Sequence, residues 1–242
     1  MGNVMTDPNY TALLLVIDRS GSMAVIRDDM VGGITTMLAE QATGPGKLTV
    51  DIVTFDTEIE TQCSLADPSD VQVVLEPRGA TALFDAIGQS VTAFGRVLAS
   101  MSENDRPDTV QVVVVTDGEE NSSREFGLEA VRAVVTQQKE QYSWDFMFLG
   151  ANQDAVLSGE RLGFDAGSSM TYSAGADAVS SMSASMGRYV TDVRAKSKRD
   201  FNDAERLAAV DAQPEPAPEF TPVAPFTAAA PVPPKASGRK RR

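Results

Sequence analysis

No histidine occurs among the 242 residues, and cysteine occurs once, as Cys63. The first absence removes the commonest general base and metal ligand; the second excludes an internal disulfide framework and a multi-thiolate zinc site. Cys63 lies in an apolar, strand-like stretch with no histidine to activate it, and so reads as a small strand residue rather than a nucleophile. Also missing is any run of ~18 to 20 apolar residues, the length that crosses a bilayer, so the chain reads as soluble and without a membrane span. The first ten residues have neither a basic n-region nor an apolar h-region, which makes the cytoplasm the expected location.

Basic residues are scarce too: 21 Lys and Arg stand against 34 Asp and Glu, a net charge of -13. Residues 214–242 hold five of the basic and two of the acidic groups, which leaves residues 1–213 at about -16. Such a surface repels phosphates and attracts cations or basic partners, so nucleic acid is not an expected ligand of the folded part.

What is present is a regular alternation of strand-like and helix-like segments. Thr11 to Ile17 and Val110 to Val115 are unbroken apolar runs, the pattern of parallel strands buried on both faces, and the first should be central. Met23 to Gln41 has helical spacing through Ile26, Met30, Ile34, Met37 and Leu38, and Gly44-Pro45-Gly46 closes it. Lys47 to Phe55 and Glu58 to Leu65 read as strands joined so tightly at Asp56-Thr57 that they must be antiparallel, the second at the sheet edge. Ala82 to Met101 and Leu128 to Glu140 read as helices, Trp144 to Leu149 as a strand, Gln153 to Leu162 as a short helix and Ser169 to Tyr172 as a last short strand.

The periodicity then predicts one helix from Ala176 to about Val210, longer than a compact domain needs, with a distal part around Lys196, Lys198 and Arg199 that projects or breaks. The expected division is an N-terminal tail over residues 1–7, one domain over 8–195, an extension of the C-terminal helix over 196–212, and a tail over 213–242. That tail holds eight of the thirteen prolines and the basic end Arg239 to Arg242, a composition expected to be disordered with polyproline II character. The fold class is α/β, a doubly wound and mostly parallel sheet with one antiparallel edge strand and helices on both faces.

Three segments that follow strands or open helices carry oxygen-bearing side chains: Asp18-Arg19-Ser20-Gly21-Ser22, Gly79-Ala80-Thr81 and Thr116-Asp117-Gly118. In an open α/β sheet the carboxyl ends of neighbouring strands converge on one crevice, where the three can meet. Asp18 to Ser22 alone reads equally well as a helix N-cap. Capping does not explain why Thr81 and Asp117 point to the same rim. Two carboxylates and three hydroxyls form an all-oxygen set suited to a hard ion, Mg²⁺ first and Mn²⁺ next, with a coordination position left for an incoming carboxylate.

Asp18-x-Ser20-x-Ser22, Thr81 and Asp117, in this order and each after the expected element, resemble the metal-ion-dependent adhesion site of von Willebrand factor A domains. The likeness covers about residues 8 to 195, edge hairpin included, and Gly150-Ala151-Asn152-Gln153-Asp154 is similar to a segment of bacterial and phage stand-alone members. The resemblance implies that Ser20 and Ser22 bind the ion directly, that Asp18 and Asp117 act largely through water, and that Thr81 joins or leaves with ligand occupancy. It also implies a protein partner that presents Asp or Glu. In family members inside bacterial cells such modules serve as adaptors, in some cases with AAA+ ATPases. Glu119, Glu120, Asn121, Asn152, Gln153 and Asp154 are secondary candidates for a partner-binding rim, and read equally as solvated loops.

Other chemistry finds little support. Gly44-Pro45-Gly46-Lys47 lacks the first glycine of a phosphate loop, where Gln41 stands, and its Ser/Thr, where Leu48 stands. Asp18-Arg19-Ser20 lacks the second Asp of an aspartyl-phosphate phosphatase. A non-enzymatic, metal-dependent interaction module is the expectation. A Mg-dependent hydrolase or phosphotransferase and a structural assembly component are the alternatives.

Overall fold

β1 (Asp7–Asp18) is buried without interruption from Tyr10 onward, which only a strand covered on both faces can be. In the computed structural model, which describes residues 6–151 and 154–210, it lies inside a six-stranded sheet of order β3-β2-β1-β4-β5-β6. The other strands are β2 (Lys47–Phe55), β3 (Ile59–Ala66), β4 (Pro107–Thr116), β5 (Asp145–Ala151) and β6 (Ser169–Tyr172). β1 pairs in parallel with β2 and β4, and β5 pairs in parallel with β4 and β6. The tight Asp56-Thr57 connection makes β3 the one antiparallel strand, at the edge as its spacing predicts.

The pleat of β1 divides the core in two. Leu13, Leu15 and Ile17 face α1 (Arg27–Ala42), α5 (Ala176–Arg194) and α6 (Asp203–Val210), while Ala12, Leu14 and Val16 face α2 (Leu83–Ser100), α3 (Leu128–Tyr142) and α4 (Ala155–Leu162). Side chains of a strand alternate between faces, so one central strand anchors both layers. The result is the doubly wound sheet expected, with helices on both faces. Among the described residues no helix is long and apolar enough to cross a membrane.

Two helices differ from their expected form. The stretch from Met23 to Gln41 is not one helix: Gly21–Val25 forms a 3-10 turn, and α1 begins only after Ile26, whose φ of -115° is not helical. Met23 and Ile26 are both buried, so the chain is drawn down onto the core twice before the helix starts. The segment from Ala176 to Val210 is two helices. Lys196 takes a left-handed φ of 56°, and its N–H and that of Ser197 bond back to Val193 and Asp192, which caps α5. The stretch after residue 195, expected to extend that helix, instead turns and packs back. Phe201 is buried with its ring 5.2 Å from that of Tyr189, and Arg188 Nη2 pairs with Glu205 at 2.7 Å. The basic residues there are held by acids, Lys196 by Asp108 and Lys198 by Asp145. The Pro/Ala-rich tail lies outside the described residues.

α1 and α5 approach closely at Gly33. A Cβ added there would stand 2.9 Å from the Ser183 Cβ and closer still to its Oγ, whereas one added to Gly32 meets nothing within 4 Å. The two glycines therefore carry opposite expectations. Gly32→Ala should stabilise the protein by up to ~1 kcal/mol through helix propensity. Gly33→Ala should destabilise it by about 1 to 3 kcal/mol, because a Cβ cannot rotate away and the helices must part. Urea unfolding of the two variants checks the pair, and equal effects would overturn the account of this contact.

Candidate metal centre

The chain leaves β1 for α1 on one face of the sheet and leaves β4 for α3 on the other, so the carboxyl ends of these neighbouring strands form a topological switch point, where a crevice must open. Asp18 is the last residue of β1 and fully buried. Its Oδ2 accepts from Thr116 Oγ1 at 2.6 Å, and its Oδ1 accepts from the Ser20 N–H at 2.6 Å. Ser20 Oγ lies 3.2 Å from Ser22 Oγ, and Ser22 Oγ donates to Asp117 Oδ1 at 2.7 Å. A chain of oxygens thus links two loops that lie far apart in sequence.

Thr81 completes the group from a third loop. It is buried, and a Cβ built on Gly118 would stand 3.1 Å from its Oγ1 and 3.9 Å from Ser22 Oγ. That contact places the threonine hydroxyl against the Asp117–Gly118 backbone and explains why position 118 carries no side chain. Asp18, Ser20, Ser22, Thr81 and Asp117 are all brought to one rim. Only Ser22 among them is exposed.

Electrostatics favour a cation here. Burial pushes the Asp18 carboxyl up to about 6, against hydrogen bonds from Thr116 and Ser20, and the neighbouring Asp117 adds to the rise. Burial also raises Asp117. Among the described residues no Lys or Arg forms an ion pair with either, since the adjacent Arg19 turns to Asp56 and Glu60. Two desolvated carboxylates without a counter-charge are costly unless a positive ion neutralises them, and the donor set is entirely oxygen, so the residues fit a hard divalent cation.

The secondary candidates fall into different places. Glu120 is committed to its own loop: Oε1 accepts the Ser122 and Ser123 N–H groups, and Oε2 accepts the Phe84 N–H in the first turn of α2. Asn121 Oδ1 accepts the Thr81 N–H, and the Asn121 N–H returns a bond to the Thr81 carbonyl. Glu120 thus ties the loop after β4 to the first turn of α2, and Asn121 ties it to the loop before that helix. Glu119 is exposed beside them. Asp154 is exposed and caps α4 by accepting the Leu157 N–H at 3.0 Å. Asn152 and Gln153 lie outside the described residues.

Sequence reasoning missed several residues that shape this rim. Thr116 seats Asp18, and its Oγ1 also contacts both the N–H and carbonyl of Gly118. Asp85, in the first turn of α2, accepts the N–H groups of Arg124, Glu125 and Phe126. Burial raises its carboxyl, but those bonds win and hold it below the ordinary carboxylate value. An acidic residue in a first helical turn is a familiar sequence signal, but nothing in the sequence points it at a loop some 40 residues away.

The raised Asp18 carboxyl has a consequence for stability. An acid whose folded value lies above its unfolded one binds protons more tightly in the folded state, so its contribution falls as pH rises between the two. In cation-free buffer the parent should lose up to ~3 kcal/mol relative to Asp18→Asn between about pH 4 and about pH 6, from the rise of the Asp18 carboxyl from 3.8 to about 6. Carboxylates remote from Asp18 are common to both proteins and drop out of the difference, while the repulsion by Asp117 is part of the rise being tested. Chemical unfolding in EDTA across this range tests it, and a pH-independent difference would overturn it.

Comparison with known proteins bears on the fold. The profile of the von Willebrand factor type A domain matches residues 12–179. No curated protein matches the chain. Among solved structures, proximal thread matrix protein 1 from the mussel byssus, with a zinc-occupied MIDAS motif, superposes with a TM-score of 0.57 at 16% identity, over 76% of this chain and 46% of that one. A mutant of the PilB minor pilin from Streptococcus sanguinis gives a TM-score of 0.51 at 14% identity, over 78% of this chain and 63% of that one. The chain spans less than half of the mussel protein and under two thirds of the pilin, and at these identities the likeness is one of fold. With the matched profile covering more than half of the sequence and the sheet order and switch-point crevice in place, the chain belongs to the von Willebrand factor type A domain family.

Proposed function

We propose that Asp18, Ser20, Ser22, Thr81 and Asp117 form a metal-ion-dependent adhesion site that binds a divalent cation and, through it, an Asp or Glu carboxylate of a partner protein. Domains of this family are commonly metal-dependent protein interaction modules. The observation that carries the reading is the pair of buried carboxylates, facing three hydroxyls at a switch-point crevice, with no basic side chain among the described residues paired to them. Such an oxygen set suits Mg²⁺ first and Mn²⁺ second, ions that retain part of their hydration shell. The zinc-occupied motif named for the mussel protein supports a cation at this place in the fold.

The hydroxyls of Ser20 and Ser22 would contact the ion directly, Asp18 and Asp117 largely through water, and Thr81 according to whether a partner is bound. The acidic surface raises the local concentration of cations and disfavours phosphate-rich partners. Glu119 and Asp154, with Asn152 and Gln153, are the residues proposed to meet the partner around the ion. An AAA+ ATPase is a candidate partner by analogy within the family.

Two measurements test this. Mg²⁺ at about one hundred times its dissociation constant should stabilise the parent by about 2.7 kcal/mol, and Asp18→Ala should abolish that gain. Partner capture with and without EDTA should show proteins retained by the parent and lost on chelation and in Asp18→Ala. Capture that survives both treatments would rule out bridging through the ion.

A further inference from the structure

Arg19 stands in sequence between two of the proposed cation ligands, yet its side chain turns away from them and is only 6% exposed. Nη1 donates to Glu60, Nε lies 3.2 Å from Asp56 Oδ2, and Nη2 is buried with no acceptor among the described residues. A guanidinium so enclosed depends on its carboxylate, because a buried charge without a partner is strongly unfavourable.

Asp56, at the β2–β3 turn and 1% exposed, has every polar atom engaged. Its Oδ2, which faces Arg19 as an ion pair, accepts from Arg78 Nε at 2.7 Å, its Oδ1 accepts the Glu58 N–H at 2.6 Å, its own N–H bonds to the Glu58 carbonyl, and its carbonyl accepts the Ala82 N–H. Burial raises its carboxyl, but Arg78, the Glu58 N–H and Arg19 together bring it below the usual range. Backbone bonds continue the connection: Arg78 N–H to the Arg19 carbonyl at 2.9 Å, and Gly21 N–H to the Gly79 carbonyl at 3.3 Å. The Asp18–Ser22 loop and the loop ahead of Thr81 are therefore laced to each other and to one carboxylate.

We propose that the Arg19, Asp56 and Arg78 ion triad is a positioning device for the metal centre, holding the hydroxyls of Ser20, Ser22 and Thr81 in register before a cation arrives. The proposal rests on the function proposed above. None of the three residues touches the ion. They act through the two loops, while Asp117 is seated separately beside Thr116, whose hydroxyl holds Asp18. Supporting residues behind metal ligands typically matter by about 10- to 100-fold in affinity.

Arg78 is the informative position because it is half exposed, so replacing it strands no charge of its own. If it acted only by its charge, Arg78→Gln would make the rim more negative and bind cations more tightly. A positioning role has the opposite sign: Mg²⁺ and Mn²⁺ affinity, read by calorimetry on the full chain, should fall about tenfold. Near-ultraviolet circular dichroism should remain that of the parent. In a Thr81→Ala background the Arg78→Gln effect should shrink, since only the hydroxyls of Ser20 and Ser22 then remain to be placed. Asp56→Asn should weaken binding as well. If Arg78→Gln binds as tightly as the parent or more tightly, or loses the same factor with and without Thr81, the positioning role is wrong. If the parent itself binds neither ion, the metal centre is wrong, and the role assigned to the triad falls with it.

Discussion

The hydrogen bond from Thr116 Oγ1 to Asp18 Oδ2 joins the ends of the two central strands at the point where the chain diverges to opposite faces of the sheet. It holds a carboxylate that is fully buried from bulk solvent. Desolvation of that group is the dominant cost at the rim, and no side chain among the described residues neutralises it by an ion pair. The serine hydroxyls, the second carboxylate and the threonine hydroxyl gather around this uncompensated charge.

A costly arrangement of this kind persists only where the surrounding structure over-determines it. Here the support comes from both layers of the core. β1 gives alternate residues to each hydrophobic cluster, so its terminal aspartate cannot shift without disturbing both. From β4, the loop of residues 117–126 is stitched to the start of α2 by Glu120, Asn121 and Asp85, each accepting backbone N–H groups. From β2, Asp56 grips the loops on the other side. Three loops that share no sequence neighbourhood behave as one surface because buried side chains span the gaps between them.

The fold was legible in the sequence wherever burial follows a simple period. The uninterrupted apolar runs of Thr11 to Ile17 and Val110 to Val115, and the tight connection at Asp56-Thr57, determine a parallel sheet with an antiparallel edge. Periodicity failed where a break depends on tertiary anchoring: Met23 and Ile26 carry the helical spacing of α1 but are drawn to the core by a 3-10 turn, and Lys196 to Asn202 lies within a helical pattern interrupted by packing of Phe201 on Tyr189. The five proposed oxygen ligands stand out because their residue types and order are unusual together. Their supports do not. Thr116, Asp85 and Arg78 have ordinary neighbours in sequence, and their roles come from contacts across 22 to 98 residues.

The return of α6 has a consequence for how the molecule can be handled. Ser173, just past the carboxyl end of β6, bonds through its N–H to the Ala209 carbonyl and through its hydroxyl to that of Val210. The described chain therefore finishes at the same pole of the sheet as Asp18, whereas Asp7, bonded to the Arg106 carbonyl at the start of β4, begins at the opposite pole. A dye or bead attached near Val210 would sit at the same pole of the sheet as the crevice, three strands across from β1. One attached through the amino end would leave it facing outward, which makes that end the proper handle for immobilisation.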